Sequence, residues 1–345
     1  MFKRWIRFGS NKVRWQFMRA NIEARLLTTS FFGPMEEIKT GSYTKSLPYP
    51  TIYTFAGSII THIITSKGIS DQLIKEFQNK IKEEKINFYG IYFKLKDNYY
   101  IPISYQLVEL TDTKAKKIRM PNLQEKLNQV NDESFLPVSR FNLNYKFAER
   151  SKLYLLGLDQ LSNIQNADVR ELELRSEERT RIRIERNSRN VIEGALFTLS
   201  YINYEDERLE HKSICVDLES EEELEINDYI GNLGGEFTLA EFKVNRSIHP
   251  LLDRIKETPK ESNTFLAVSH IPIALKNGKL ICRFGEIAAI LGNVDYIGGW
   301  DYYEAKLKKM YAAILPGSLF IVRNKIEKFR DEKWYFNLLK TAIPI

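Results

Sequence analysis

A chain of 345 residues, 43% of them hydrophobic, is long enough for two domains and too apolar for a disordered or collagen-like protein. Its net charge of +6 and pI of about 9.0 favour an acidic partner, most simply nucleic acid, with a merely soluble basic protein as the plain alternative. Two distant cysteines, Cys215 and Cys282, and four scattered histidines, His62, His211, His249 and His270, exclude CxxC, zinc-finger and HExxH chemistry.

The first residues carry Lys3, Arg4, Arg7, Lys12, Arg14 and Arg19 with no acid before Glu23, interleaved with Trp5, Phe8, Trp15 and Phe17. This is either a base-stacking cationic segment or a solvated basic tail; it lacks the apolar stretch of a secretory signal. Phe17 to Phe32 reads as an extended strand, and residues 40–50, with Gly41, Pro48 and Pro50, as a loop. Phe55, Ile59, Ile60, Ile63 and Ile64 share one helical face, and Ser70–Glu84 forms a second helix with a Leu73, Ile74, Phe77 and Ile81 stripe and a Ser70 cap. Phe88–Leu95 and Asn98–Ser104 flank Lys96-Asp97 as a hairpin. Strand, two helices and two strands fit a split β-α-β unit of the ferredoxin type.

Leu110 to Arg150 is polar and reads as an insertion. From Thr180 to Arg186 charge and isoleucine alternate with period two, the pattern of a strand with one buried face. Ala195–Asn203 and Ser213–Leu218 follow as strands. The acidic run Glu219–Leu224 opens an expected helix that ends near Gly231. Glu236–Val244 and Lys279–Leu291 are β-rich. Met310–Ile314 and Ser318–Val322 flank Pro316-Gly317, type II turn chemistry, as a hairpin, with a helix over Tyr302–Ala313 as the competing reading. No run of about eighteen apolar residues exists, so no membrane span is expected. The buried-thiol reading of the cysteines fits a reducing, cytoplasmic setting.

Several segments in order resemble the third subunit of the Cmr complex, the type III-B CRISPR effector, within the RAMP superfamily. They are Phe55-Ala56-Gly57-Ser58 before an apolar helix, Arg179–Arg186 with Glu193-Gly194-Ala195-Leu196-Phe197, Leu233-Gly234-Gly235-Glu236, Ile297-Gly298-Gly299-Trp300-Asp301, and Pro316-Gly317-Ser318. The resemblance implies an α+β fold of two ferredoxin-like, RRM-related domains, divided here as 1–205 (with the 110–150 insertion) and 206–345. It implies a non-catalytic RNA-binding subunit that holds the 5′ tag of the CRISPR RNA. It further implies docking on the large polymerase-like subunit and on the first backbone RAMP subunit in antiviral defence.

The candidate RNA-binding residues are Gly57, Ser58, Arg181, Arg183, Arg186, Arg189, Gly234, Gly235, Gly298, Gly299, Trp300 and Gly317. Arginine suits bidentate phosphate binding and base stacking, although a solvated strand face paired with Glu177, Glu178 and Glu185 is the bland reading. The glycine turns offer either backbone N–H groups to phosphate or plain hairpin chemistry. Trp300 either stacks on a base or anchors a core. His62 is the one enzymatic candidate: a histidine on the first helix next to a glycine loop resembles the general base of CRISPR RNA-processing endonucleases of the same superfamily, or it is a helix-surface or half-buried residue. No nucleotide-, metal- or cofactor-binding motif is present.

Overall fold

A computed structural model of the chain describes residues 17–33, 43–110, 116–118, 152–172, 174–185, 190–203, 212–235, 238–258, 262–297, 300–301, 306–307, 310–323, 338 and 341–345. It is an α+β structure, mostly sheet, with three α-helices among the described residues. The first half contains β1 (Met18–Leu26), β2 (Tyr43–Lys45), α1 (Ile52–Ser66), α2 (Asp71–Lys82), β3 (Ile86–Leu95), β4 (Asn98–Ile103), β5 (Val108–Leu110), β6 (Lys116–Ile118), β7 (Leu153–Gly157), β8 (Val169–Leu172), β9 (Arg175–Ile184) and β10 (Val191–Asn203). Then come β11 (Lys212–Ser220), β12 (Tyr229–Asn232), β13 (Leu239–Asn245) and α3 (Pro250–Glu257). The last part holds β14 (Thr264–Ala267), β15 (Ile271–Pro272), β16 (Ala274–Lys276), β17 (Lys279–Cys282), β18 (Gly285–Leu291), β19 (Val294–Ile297), β20 (Trp300–Asp301), β21 (Lys306–Leu307), β22 (Tyr311–Ile314), β23 (Leu319–Val322) and β24 (Ala342–Pro344).

An eight-stranded antiparallel sheet runs β12-β13-β1-β11-β3-β4-β7-β8. Helices α1 and α2 cover one face. Thr51 caps α1 by accepting from the Thr54 amide, and Ser70 caps α2 through the Leu73 amide. Asp71 in the first turn of α2, and Lys80 and Lys82 in its last, suit the helix dipole. Phe55, Ile59 and Ile63 of α1 and Phe77 and Ile81 of α2 pack on Ile22, Phe88, Phe93, Val216 and Phe242 of the sheet. Each such side chain contributes roughly 1.5–3 kcal/mol on burial.

The opposite face of this sheet meets a second antiparallel sheet, β16-β17-β18-β23-β14-β24. Tyr92, Ile101, Tyr154 and Leu156 pack there against Leu266, Ala289, Leu319 and Ile321. Phe265, Ile287, Phe320 and Val322 make a further core on the far side with Ile271 and Ile314. Two three-stranded sheets, β2-β10-β9 and β15-β22-β19, complete the main architecture.

Where the two layers meet, Asp217 of β11 is fully buried. Its Oδ2 accepts from the Leu251 amide at 2.9 Å and the Leu252 amide at 2.7 Å, two donors at the α3 N-terminus that have no acceptor within the helix. Its Oδ1 accepts from Tyr92 Oη at 2.6 Å and Asn21 Nδ2 at 3.1 Å. The residue before α3, His249, makes no side-chain cap, so a strand residue supplies one from outside the helix.

Several expectations change. The run Glu219–Leu224 does not open a helix; residues 223–228 are irregular and Gly231 lies within β12. Leu224 and Ile226 are both buried, an alternation that suits extended backbone, while Glu222 and Glu223 pair with Lys80 and Arg246. Strands β22 and β23 flank Pro316-Gly317 but do not pair as a hairpin: β22 pairs with β15 and β19, β23 with β14 and β18, because the turn passes the chain from one sheet to the other. The competing helix over Tyr302–Ala313 is replaced, in its described residues, by β21 and β22. Strand pairing crosses the expected division at 205/206, since β1 pairs with both β11 and β13. Most of the 110–150 insertion lies outside the described residues. The Lys96-Asp97 hairpin joins β3 and β4, with Leu95 facing Asn98 and Lys96 at φ 55°.

Asp217→Ala strips the acceptor from two buried amides and is expected to lower unfolding stability by about 2–4 kcal/mol in urea titrations. Burial raises the Asp217 carboxyl to about 6. The folded chain then holds this proton more tightly than the unfolded chain, so the group's favourable share is present at low pH and lost as pH rises through 6. Relative to Asp217→Asn, the wild type should therefore gain stability between pH 7 and pH 4.5; a constant difference would show that the carboxyl titrates alike in both states.

Candidate nucleic-acid interface

Residues 55, 58 and 62 lie three and four apart on α1, so they share one face. That face meets β12, which ends the eight-stranded sheet and has β13 as its strand neighbour. Ser58 Oγ donates to the Asn232 carbonyl at 2.6 Å. The His62 ring stacks on Tyr229 with centroids 3.7 Å apart and planes 5° apart. Tyr229 stacks in turn on its cross-strand partner Phe242, at 4.4 Å and 3°, and Phe55 meets Phe242 edge-on at 5.8 Å. Burial lowers the His62 pKa and raises that of the Tyr229 phenol.

Immediately beyond Asn232 comes the turn of Leu233, Gly234 and Gly235. The Leu233 amide donates to the Thr238 carbonyl at 2.9 Å, and the Gly235 amide to the Phe31 carbonyl at 3.0 Å. Thr238 Oγ1 accepts from the Phe31 amide at 3.2 Å and donates to the Gly235 carbonyl at 2.9 Å. Gly234 sits at φ +108°, and a Cβ there would lie 2.9 Å from both the Phe31 carbonyl oxygen and the Phe32 ring. Only glycine fits this approach. The Leu233 and Gly235 amides and the Gly235 carbonyl are thus engaged within the protein, by Thr238 and Phe31.

Phe31 extends the contact. Its ring lies 5.6 Å from that of Tyr201 on β10, and both are buried with Leu199 in a small cluster. Over Tyr201 stand two guanidinium groups, Arg179 at 4.8 Å and Arg181 at 5.8 Å from the ring centroid. Arg181 Nη2 also donates to Tyr201 Oη at 3.0 Å. Arg179 pairs with Glu177 at 2.8 Å and donates to Thr29 Oγ1 at 2.9 Å. The register, Arg179 opposite Leu199 and Arg181 opposite Phe197, places both arginines on the Tyr201 face. So the helix entry, the glycine turn and the arginine strand, far apart in sequence, form one surface joined through Phe31.

The remaining candidates distribute differently. Arg183 belongs to β9 by its backbone; its side chain, and the whole of Arg186 and Arg189, lie outside the described residues. Gly298 and Gly299 also lie outside them, and of Trp300 only the strand pairing with Leu307 is described. Gly317 is remote from this surface. It occupies φ +82° in a turn closed by the Ser318 amide and the Leu315 carbonyl, and a Cβ there would lie 2.7 Å from Ile103 Cα. Its role is close approach between the two large sheets. Phe31, Tyr201 and Tyr229 escape a sequence reading because aromatics in and beside strands look like ordinary core. The signal for Tyr229 is its place two residues before Gly231, where a Cβ would come within 2.9 Å of the Tyr229 ring.

Among the described residues no three His, Cys, Asp or Glu side chains gather where a metal would bind. Cys215 and Cys282 are buried free thiols whose pKa values burial raises. No described helix is long and apolar enough to cross a membrane.

Residues 34–339 match the family model described as CRISPR-associated protein (Cas_Cmr3). Among solved structures, a chain of the type III-B Cmr-beta complex bound to cognate target RNA and AMPPnP is 21% identical, over 88% of this chain and 86% of that one, with a TM-score of 0.49. A chain of the same complex with cognate target RNA is 20% identical over the same shares, with a TM-score of 0.48. A chain of the Csm3-Csm4 subcomplex of the type III-A CRISPR-Cas interference complex is 11% identical over 94% and 99%, with a TM-score of 0.43. No curated protein matches the chain significantly. The family match spans nearly the whole of the structure just described, including the helix entry, the arginine strand and the glycine turns: this chain belongs to the Cas_Cmr3 family of CRISPR-associated proteins.

Proposed function

We propose that the chain is a non-catalytic, RNA-binding scaffold subunit of a type III-B Cmr ribonucleoprotein acting in the cytoplasm. In this reading it binds the 5′ tag of the CRISPR RNA and bridges the large polymerase-like subunit to the first backbone RAMP subunit. Family membership supports the setting. The observation that carries the RNA contact is Gly57. It lies inside α1, where glycine is destabilising by roughly 0.5–1 kcal/mol relative to alanine. Yet a Cβ added there meets no described atom within 4 Å. The fold does not demand this glycine, in contrast to Gly234 and Gly317. A ligand backbone approaching α1 beside Ser58 would.

The arginines fit the same role. Arg179 and Arg181 are held over an aromatic ring, so little side-chain freedom is lost when they meet a phosphate or base. Two ferredoxin-like units are supported by strand order. Both β13-β1-β11-β3 and β24-β14-β23-β18 read fourth, first, third, second in an antiparallel sheet. On that order the first unit runs through β13, and the division falls between β13 and β14. Against an endonuclease stands the His62 ring, laid flat on Tyr229 with no carboxylate hydrogen-bonded to it among the described residues.

Gly57→Ala should raise the unfolding stability of the chain by about 0.5–1 kcal/mol while weakening its binding to a tag-bearing single-stranded RNA. Unchanged affinity would take Gly57 off the RNA surface. Substituting Arg181 and Arg183 together by alanine should flatten the salt dependence of binding, by about 0.7 in the log–log slope for each phosphate no longer neutralised. An unchanged slope in filter-binding titrations would remove β9 from the interface.

A further inference from the structure

Strand β12 is the part of the interface with least sheet to hold it. It spans Tyr229–Asn232 and pairs with β13 on one side only among the described strands. A four-residue edge strand of this kind frays easily. Yet it ends directly on the Leu233–Gly235 turn, whose geometry Gly234 fixes against Phe31 and Phe32. What holds β12 from its second side is α1, through two residues four apart: Ser58 on the Asn232 carbonyl and His62 on the Tyr229 ring. Gly231 belongs to the same arrangement, because any side chain there would push the Tyr229 ring out of the stack.

We infer that Ser58 and His62 are positioning residues, a clamp by which α1 locks the edge strand and so presents the adjoining glycine turn to RNA. The inference rests on the RNA-binding reading and gives His62 a definite part in it. Its imidazole acts as a flat ring in a column of His62, Tyr229 and Phe242, and not as a proton acceptor. A phenyl ring is the conservative replacement, since it keeps the plane and the contact area and cannot carry a proton.

The test compares the full chain with its His62→Phe, His62→Ala and Ser58→Ala variants in two assays. Amide hydrogen exchange over residues 230–235 reports the clamp. Affinity for a tag-bearing single-stranded RNA, at pH 6 and pH 8, reports its use. His62→Ala should speed exchange and weaken RNA binding by about tenfold, the loss of one aromatic stack. Ser58→Ala should act in the same direction. His62→Phe should restore slow exchange and wild-type affinity, and its ratio to the wild type should be the same at both pH values. Unchanged exchange in His62→Ala overturns the clamp. Faster exchange with unchanged affinity overturns its link to RNA. A His62→Phe variant that folds but binds as poorly as His62→Ala, or cleavage that depends on the imidazole, overturns the positioning role. A wild-type chain that binds no RNA would instead remove the RNA-binding reading, with the exchange comparison still deciding the clamp.

Discussion

The Asp217 carboxylate is the contact on which the layering depends. An ionisable group sealed between two sheets is costly to bury, and it persists because all of its neighbours are donors. Two amides come from α3, one hydroxyl from β3 and one carboxamide from β1. Together they tie three strands of the eight-stranded sheet to the helix that leads into the second sheet. Apolar packing between the layers is larger in area, but it is not directional. The four hydrogen bonds are, and they determine where the chain leaves the first sheet.

The glycines divide by the same physical logic. Gly234 and Gly317 each combine positive φ with a neighbour inside 3 Å of a hypothetical Cβ, so the fold itself explains them. Both read from sequence as possible phosphate cradles, and in both it is close approach of backbone to backbone that requires the glycine itself. Gly57, with ordinary helical geometry and open space beside it, is a glycine that the interior does not require. A glycine that the interior does not need is stronger evidence for a partner than a glycine in a turn.

Local chemistry is legible in the chain and long-range pairing is not. The Ser70 cap, the Phe77 and Ile81 stripe and the Lys96-Asp97 hairpin all depend on residues within one or two turns of each other, and each stands plainly in the sequence. The acidic run after Ser220 misleads because Leu224 and Ile226 are buried two residues apart, which extended backbone satisfies, while Glu222 and Glu223 turn outward to Lys80 and Arg246. The pairing of β1 with β11 brings Asn21 to Asp217 across 196 positions, and nothing in either segment announces the other. The candidate surface is legible only in pieces for the same reason. The motifs are visible, while Phe31 and Tyr201, which join them, carry no mark beyond being aromatic.

Among the described strands, β9 lies at the margin of its three-stranded sheet. An open strand margin is a template on which a second molecule can add its own backbone, the first step of aggregation. Arg175, Glu177, Glu178, Arg179 and Arg181 crowd this ten-residue strand with charge of both signs. An incoming copy would have to strip water from every one of them. The charges along β9 thus guard the polypeptide against pairing with its own kind.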